Sequence, residues 1–378
     1  MKAVFGGAIA CVLLVPASVH AAEANRSEFG KLPDGRAVEA ITLTNSSGMT
    51  ARVISYGAIL QSVTVPDRKG NSAEVTLGYD TIEGYLVAPN YFGATVGRYA
   101  NRIRDGKFSI DGKAHQLAKN NNGNALHGGP TGFDKRLWSV GEVRSGPVAS
   151  VQLRYVSADG EEGYPGQLTV TATYSLDENN MLTVAYEAET TKPTIVNITN
   201  HSFFNLSGEG SQKSIYGHFL TIPADAITPV DRSLIPTGEL RPVEGTPFDF
   251  RKPTRIGERI RDGRDQQIVY GQGYDHNFVI ARDVSDEPRL HARVEAPDTG
   301  RVLDIYSNQP GVQLYTGNFL DGTAIGRSGY AYRQGDGLAL EPQLFPDTPN
   351  QPAFGSARLN PGQTYRNVIV YHFGTTAP

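Results

Sequence analysis

Between Leu168 and Ala188 apolar and polar residues alternate with a period of two, and this pattern limits most sharply what the chain can become. Leu168, Val170, Ala172, Tyr174 and Leu176 are separated by Thr169, Thr171, Thr173 and Ser175; after a polar break at 177 to 180 the alternation resumes through Leu182, Val184, Tyr186 and Ala188. Successive strand side chains point to opposite faces, so each run predicts a half-buried strand and the break predicts a hairpin turn. A second hairpin is expected through Phe108 and Ile110, turning at Asp111-Gly112 and returning through His115 and Leu117, because Asp-Gly suits the positive φ of a two-residue turn. Residues 51 to 65, 276 to 281, 290 to 296, 301 to 306 and 365 to 373 read as further strands. Only residues 253 to 262 suggest a short helix, with Thr254 as its N-cap. Many short strands, punctuated by 42 glycines and 23 prolines, predict an all-β chain, a large antiparallel β-sandwich or a barrel. No internal repeat, charge block or low-complexity linker interrupts it, so one domain is expected from residue 24 to 378.

The 378 residues carry a net charge of −4 and no long basic run, which argues against a nucleic-acid partner. Residues 1 to 22 combine Lys2, an apolar stretch from Ala3 to Pro16 and small residues at Val19 and Ala21, the pattern of a secretory signal peptide occupying residues 1–21. The expectation is an exported protein, periplasmic or secreted; a lipoprotein anchored through Cys11, the single cysteine, is the competing reading. Cleavage after Ala21 would leave a thiol-free chain one unit more negative. No other apolar stretch approaches the roughly 20 residues that span a bilayer, so no membrane anchor is expected.

No H-E-x-x-H, Gly-x-Ser-x-Gly elbow or phosphate loop occurs. Polar residues gather instead at four places. In Gly97-Arg98-Tyr99-Ala100-Asn101-Arg102-Ile103 an arginine beside an asparagine offers several donors to hydroxyls, and in Leu126-His127-Gly128-Gly129 two glycines permit close approach of backbone and ligand. A turn with a backbone-satisfied histidine is the alternative. Around Asn197-Ile198-Thr199-Asn200-His201 a strand ends in polar residues beside Phe203 and Phe204, which suits a sugar face or, equally, a structural histidine. The sequons at Asn197 and Asn205 match a pattern that is common by chance. Asp275 in Gly273-Tyr274-Asp275-His276 reads as a site residue or a turn residue. Glu341 closes an apolar run before a Pro-rich loop, where partial burial would raise its pKa and suit it to base work.

Seven segments, GRYANRI (97–103), LHGG (126–129), GFDKRLW (132–138), NITNHSFFNLSG (197–208), GYDHNF (273–278), QPGVQLYTGNFLDG (309–322) and LEPQLFPDTPNQP (340–352), together resemble the aldose 1-epimerase (galactose mutarotase) family, in its order, over nearly the whole chain after residue 22. The resemblance implies a galactose mutarotase-like β-sandwich that interconverts the α and β anomers of free hexoses without metal or organic cofactor. It implies Glu341 as general base, His201 as general acid, and Asn101, Arg102, His127, Asp275 and Gln313 as holders of sugar hydroxyls. The LHGG and NITNHSFFNLSG forms look closer to the free-sugar branch than to hexose-6-phosphate epimerases. The competing classes are a glycoside hydrolase using Asp275 with Glu341, and a non-catalytic carbohydrate-binding β-sandwich. Neither the preferred aldose nor an oligomeric state is legible.

Overall fold

A computed structural model describes Met1, residues 21–87 and residues 90–377. Residues 2–20 of the proposed leader, Cys11 included, lie outside the described residues. The alternation is realised residue for residue. Leu168–Asp177 and Met181–Thr190 pair antiparallel from Leu168↔Thr190 to Leu176↔Leu182, and along the first strand each apolar residue is buried while each polar neighbour is half exposed. This hairpin belongs to a nine-stranded antiparallel sheet that continues through Tyr365–Thr375, Arg301–Ser307 and Arg289–Glu295. The hairpin of Lys107–Ile110 with Lys113–Gln116 also forms, its turn residues Asp111 and Gly112 at φ 50° and 76°.

Against the large sheet pack a five-stranded sheet running from Glu23–Lys31 to Ser72–Glu74 and a six-stranded sheet built around Asp275–Val279, Gly311–Tyr315 and Leu338–Gln343. Each sheet turns one apolar face inward, and these faces merge in a single core cluster holding Leu43 and Val53, Val170 and Ile305, and Leu314 and Leu340. Tyr174 Oη donates to the Ala58 carbonyl at 2.6 Å, and the Phe204 ring meets Tyr371 at 5.2 Å, tying the layers together. The architecture is an all-β sandwich.

Two local expectations are corrected. Residues 51 to 65 form not one strand but the pair Thr50–Ile54 and Ile59–Pro66, reversed at Gly57 and Ala58, which have φ of 65° and 42°. A Cβ on Gly57 would collide with the Asp134 carbonyl, so the turn depends on glycine there. Residues 253 to 262 do not form the expected helix. Thr254–Arg255 forms the edge of the large sheet beside Phe219–Thr221, Ile256–Glu258 makes one 3₁₀ turn, and Thr254 Oγ1 donates to the Lys252 carbonyl instead of capping. Ile256 and Ile260 mimic helical spacing, but they are buried in the sheet core. The α-helices among the described residues are Ile82–Val87 and Gln266–Gly271, the latter capped by Asp265, whose side chain accepts from the Gln267 N–H. No helix among them is long and apolar enough to cross a membrane.

Candidate active site

Three neighbouring strands carry one wall of the site. Their register places Asn277 opposite Gln313 and Gln313 opposite Glu341, with Asp275 opposite Tyr315. Because side chains alternate along a strand, Asp275, Gln313 and Glu341 share one face of the sheet. Glu341 stands within Leu338–Gln343 rather than beyond its end, and at 2% exposure it is fully rather than partly buried. Thr199–His201 pairs with Ala94–Val96 and brings His201 Nε2 to 3.5 Å from Glu341 Oε1.

The opposite wall comes from the two segments nearer the N-terminus, joined by the short ladder of Arg102–Ile103 with Ala125–Leu126. Asn101 and His127 both sit at positive φ, 62° and 50°, and lock each other there. The His127 N–H donates to the Asn101 carbonyl at 3.1 Å, and the Asn101 N–H donates to His127 Nδ1 at 3.1 Å. With Nδ1 accepting, the proton of the neutral His127 ring lies on Nε2. The glycine expectation changes meaning: a Cβ on Gly128 would strike the Gly97 carbonyl, so the residue lets backbone approach backbone rather than a ligand. Arg98 is not a site residue either. Its guanidinium is buried, donating to the carbonyls of Pro165 at 2.8 Å and Gly166 at 2.9 Å and to Ser157 Oγ at 2.6 Å. Asn197 and Asn205 are likewise buried, with their side chains hydrogen-bonded to backbone, which leaves neither sequon accessible in the folded chain.

Between the walls lies a cavity of about 280 Å³ lined by Asn101, Arg102, His127, His201, Asp275 and Glu341. Six of the seven expected residues therefore converge. Gln313 stands behind them, its Nε2 donating to Asp275 Oδ1 at 2.7 Å. Asp275 Oδ2 faces Arg102 Nη2 at 3.6 Å, and Arg102 Nε donates to Asn121 Oδ1 at 3.2 Å. Tyr91, Asn121, Leu234 and Phe319 are among the other residues that line the cavity. Tyr91 packs 4.7 Å from the His127 ring and 5.7 Å from that of His201. The asparagine-rich run from Asn120 to Asn122 was a legible polar signal for Asn121; Tyr91 and Leu234 had none.

Burial dominates the electrostatics. It pushes the Glu341 carboxyl well above the usual carboxylate range; Asp275 adds to this and Arg102 opposes it. Burial also holds His201 down at about 4, while Asp275 pulls it upward. His127 is held well below its ordinary value by burial, assisted by His201 and Arg102. At His201 desolvation outweighs the nearby carboxylate. Both shifts favour a neutral carboxylic acid beside a neutral imidazole over a carboxylate beside an imidazolium. His127, His201 and Glu341 also present ligating atoms within 4.8 Å of one another, a donor set with the composition of a divalent-metal site. The arrangement offers two proton-transfer groups in contact, surrounded by hydrogen-bonding side chains.

Comparison with known proteins identifies the family of the chain. The family model for aldose 1-epimerase matches residues 39–372. Galactose mutarotase of Mus musculus is 47% identical over 348 residues, covering 92% of this chain and 98% of the mouse protein. Aldose 1-epimerase of Escherichia coli K12 is 38% identical over 343 residues, covering 90% and 96%. The solved structure of galactose 1-epimerase from Lactobacillus acidophilus superposes with a TM-score of 0.82 at 31% identity, over 94% of this chain and 99% of that one. By matched length, identity and fold together, the chain belongs to the aldose 1-epimerase family.

Proposed function

We propose that this protein interconverts the α and β anomers of free hexoses such as glucose and galactose, with Glu341 as general base and His201 as general acid. The observation that carries the reading is the buried contact of His201 Nε2 with Glu341 Oε1 at 3.5 Å on the cavity wall. In the forward direction the Glu341 carboxylate takes the proton of the C1 hydroxyl while the His201 imidazolium protonates the ring oxygen. The bond from C1 to that oxygen breaks, and its electron pair leaves with the oxygen as a hydroxyl. C1 becomes an aldehyde, rotates about the C1–C2 bond, and closes on its other face as both protons return. Each such transfer contributes about 10²- to 10⁴-fold.

The shifts of the two groups act on both ends of this cycle: burial disfavours the charged pair from which ring opening starts and favours the neutral pair that it yields. Ring opening converts carboxylate and imidazolium into carboxylic acid and imidazole, the neutral pair that burial favours, so the protein stabilises the protonation state that accompanies the open aldehyde. Asn101, Arg102, His127 and Asp275 hold the sugar hydroxyls, with Nε2–H of His127 as a neutral donor, and Gln313 orients Asp275. A glycoside hydrolase is less favoured: the oxygens of Asp275, its second carboxylate, are engaged by Gln313 and Arg102. We also read residues 24 to 378 as one domain, which the shared core from Ala22 to Phe373 supports. Export through a signal peptide of residues 1–21 is compatible with this core, since removal up to Ala21 leaves the first strand, Glu23–Lys31, whole.

The test is polarimetry of freshly dissolved α-D-glucose and α-D-galactose with the purified chain. Acceleration above the buffer rate is expected. Sugar binding by calorimetry without acceleration, or release of nitrophenol from a nitrophenyl glycoside, would replace this reading with one of its two competitors. The export reading is checked by the mass of the N-terminus recovered outside the cytoplasm.

A further inference from the structure

The sheet face that carries Glu341 continues past the cavity, and its next positions are polar although they are sealed from solvent. Asn277 stands opposite Gln313, which stands opposite Glu341; one step further along, Gly311 stands opposite Gln343. Asn277, Gln313, Glu341 and Gln343 are exposed by 1%, 3%, 2% and 0%. Six of their side-chain atoms find no protein partner among the described residues: Oδ1 and Nδ2 of Asn277, Oε1 and Nε2 of Gln343, Oε1 of Gln313, and Oε2 of Glu341. So many unpaired polar atoms on adjacent strands depart from the rule that buried polar groups are hydrogen-bonded, and buried water is the usual remedy. Gly311 marks the same spot. A side chain there would run into Asn277 Oδ1 and, at 2.8 Å, into the ring of Phe345, which is itself buried.

We propose that Asn277 and Gln343, with Gln313, hold a small set of ordered waters behind Glu341, and that these waters hydrogen-bond its Oε2 and position the general base. The inference rests on the assignment of Glu341 as that base. The chemistry of the four side chains suits the task. Each amide offers both a donor and an acceptor, so one water can accept from an amide N–H and donate to the carboxylate. Glu341 Oε1 is directed at His201, which leaves Oε2 to be served from behind. Water donors stabilise the ionised carboxylate and so oppose the burial that resists it. The other groups acting on Glu341 are His201, Asp275 and Arg102, with Tyr315 and Tyr371 interacting through its charge and a ring nitrogen of His127 within 4.8 Å. Asn277 and Gln343 do not line the cavity, so theirs is a positioning role.

The experiment is a pH profile of mutarotation by the full chain carrying Gln343→Met or Asn277→Leu, which keep volume but remove the water's partners. Because Glu341 is held above His201, raising it further shrinks the reactive carboxylate–imidazolium fraction on the acid side, and the alkaline limb of kcat/KM should move upward by at least one pH unit. Loss should be about tenfold or more at pH 6, under about threefold at pH 9, with KM within about twofold of wild type. Asn277→Ser, which retains a hydroxyl for water, should recover most of the activity at pH 6. An unshifted limb, or an equal loss at every pH, overturns the proposal. A high-resolution crystal structure of the wild-type protein supplies a readout independent of any variant's folding. Waters bonded to Asn277, Gln343 and Glu341 Oε2 are expected, and amides bonded directly to one another with no water at Oε2 overturn it. Near wild-type turnover by Glu341→Gln would instead overturn the base assignment, an outcome distinct from both.

Discussion

Replacing Glu341 by glutamine keeps the size and hydrogen-bonding outline of the side chain but removes its ability to take a proton. If the C1 hydroxyl loses its proton to this group, Glu341→Gln should lower kcat by about 10²- to 10⁴-fold, equivalent to about 3 to 5 kcal/mol in the barrier. KM should change little, because Asn101, Arg102, His127 and Asp275 remain in place around the cavity. The same substitution has a second expected signature. The carboxyl is 2% exposed and held well above its ordinary value by burial. A group raised in the folded state contributes stability that is present below its unfolded value and is lost as pH rises, because the unfolded chain ionises first. Glutamine has no such loss, so the variant should melt higher than wild type at pH 8.5, with the difference shrinking toward pH 5. Polarimetry of α-D-galactose, corrected for the buffer rate, and thermal melts at the two pH values read both effects. Near wild-type turnover would refute the base assignment, and a melting difference independent of pH would refute the account of its burial.

His201→Asn should slow kcat more than it raises KM, since the ring acts on the oxygen that gains a proton during ring opening; initial-rate polarimetry over a range of sugar concentrations separates the two. Arg98→Met should cost about 3 kcal/mol of stability, read in urea, because it removes the guanidinium that the carbonyls of Pro165 and Gly166 accept from, while KM for the remaining folded enzyme stays unchanged. Dialysis against EDTA should leave the rate unaltered if the reaction is proton transfer alone; loss of activity restored by a divalent ion would make His127, His201 and Glu341 a metal centre.

What could be read before folding was local and periodic. The alternation from Leu168 to Ala188 and the Asp111-Gly112 turn each specify their own structure, because face and turn geometry depend on residues a few places apart. The split at Gly57 and the lost helix at 253 to 262 were decided by neighbours distant in sequence, the Asp134 carbonyl in one case and the Phe219–Thr221 edge in the other. The motifs likewise announced which segments carry the site but not which side chain faces it. Arg98 and Arg102 lie four residues apart in one motif; one ties loops together from within, and the other lines the cavity. Gln313 and Asp275 were both read as sugar holders; in the folded chain Gln313 Nε2 donates to Asp275 Oδ1, and of the two Asp275 lines the cavity.

The sequence by itself determined the all-β class, two of the chain's hairpins, its family resemblance and a short set of polar candidates, since these follow from composition, period and order of motifs. Only the tertiary structure decided that Glu341 and His201 meet at 3.5 Å, that both are stripped of water, and that their proton affinities therefore move in opposite directions. The reason is physical: a pKa is set by everything that surrounds a group in space, and the residues surrounding Glu341 come from segments as far away as Arg102.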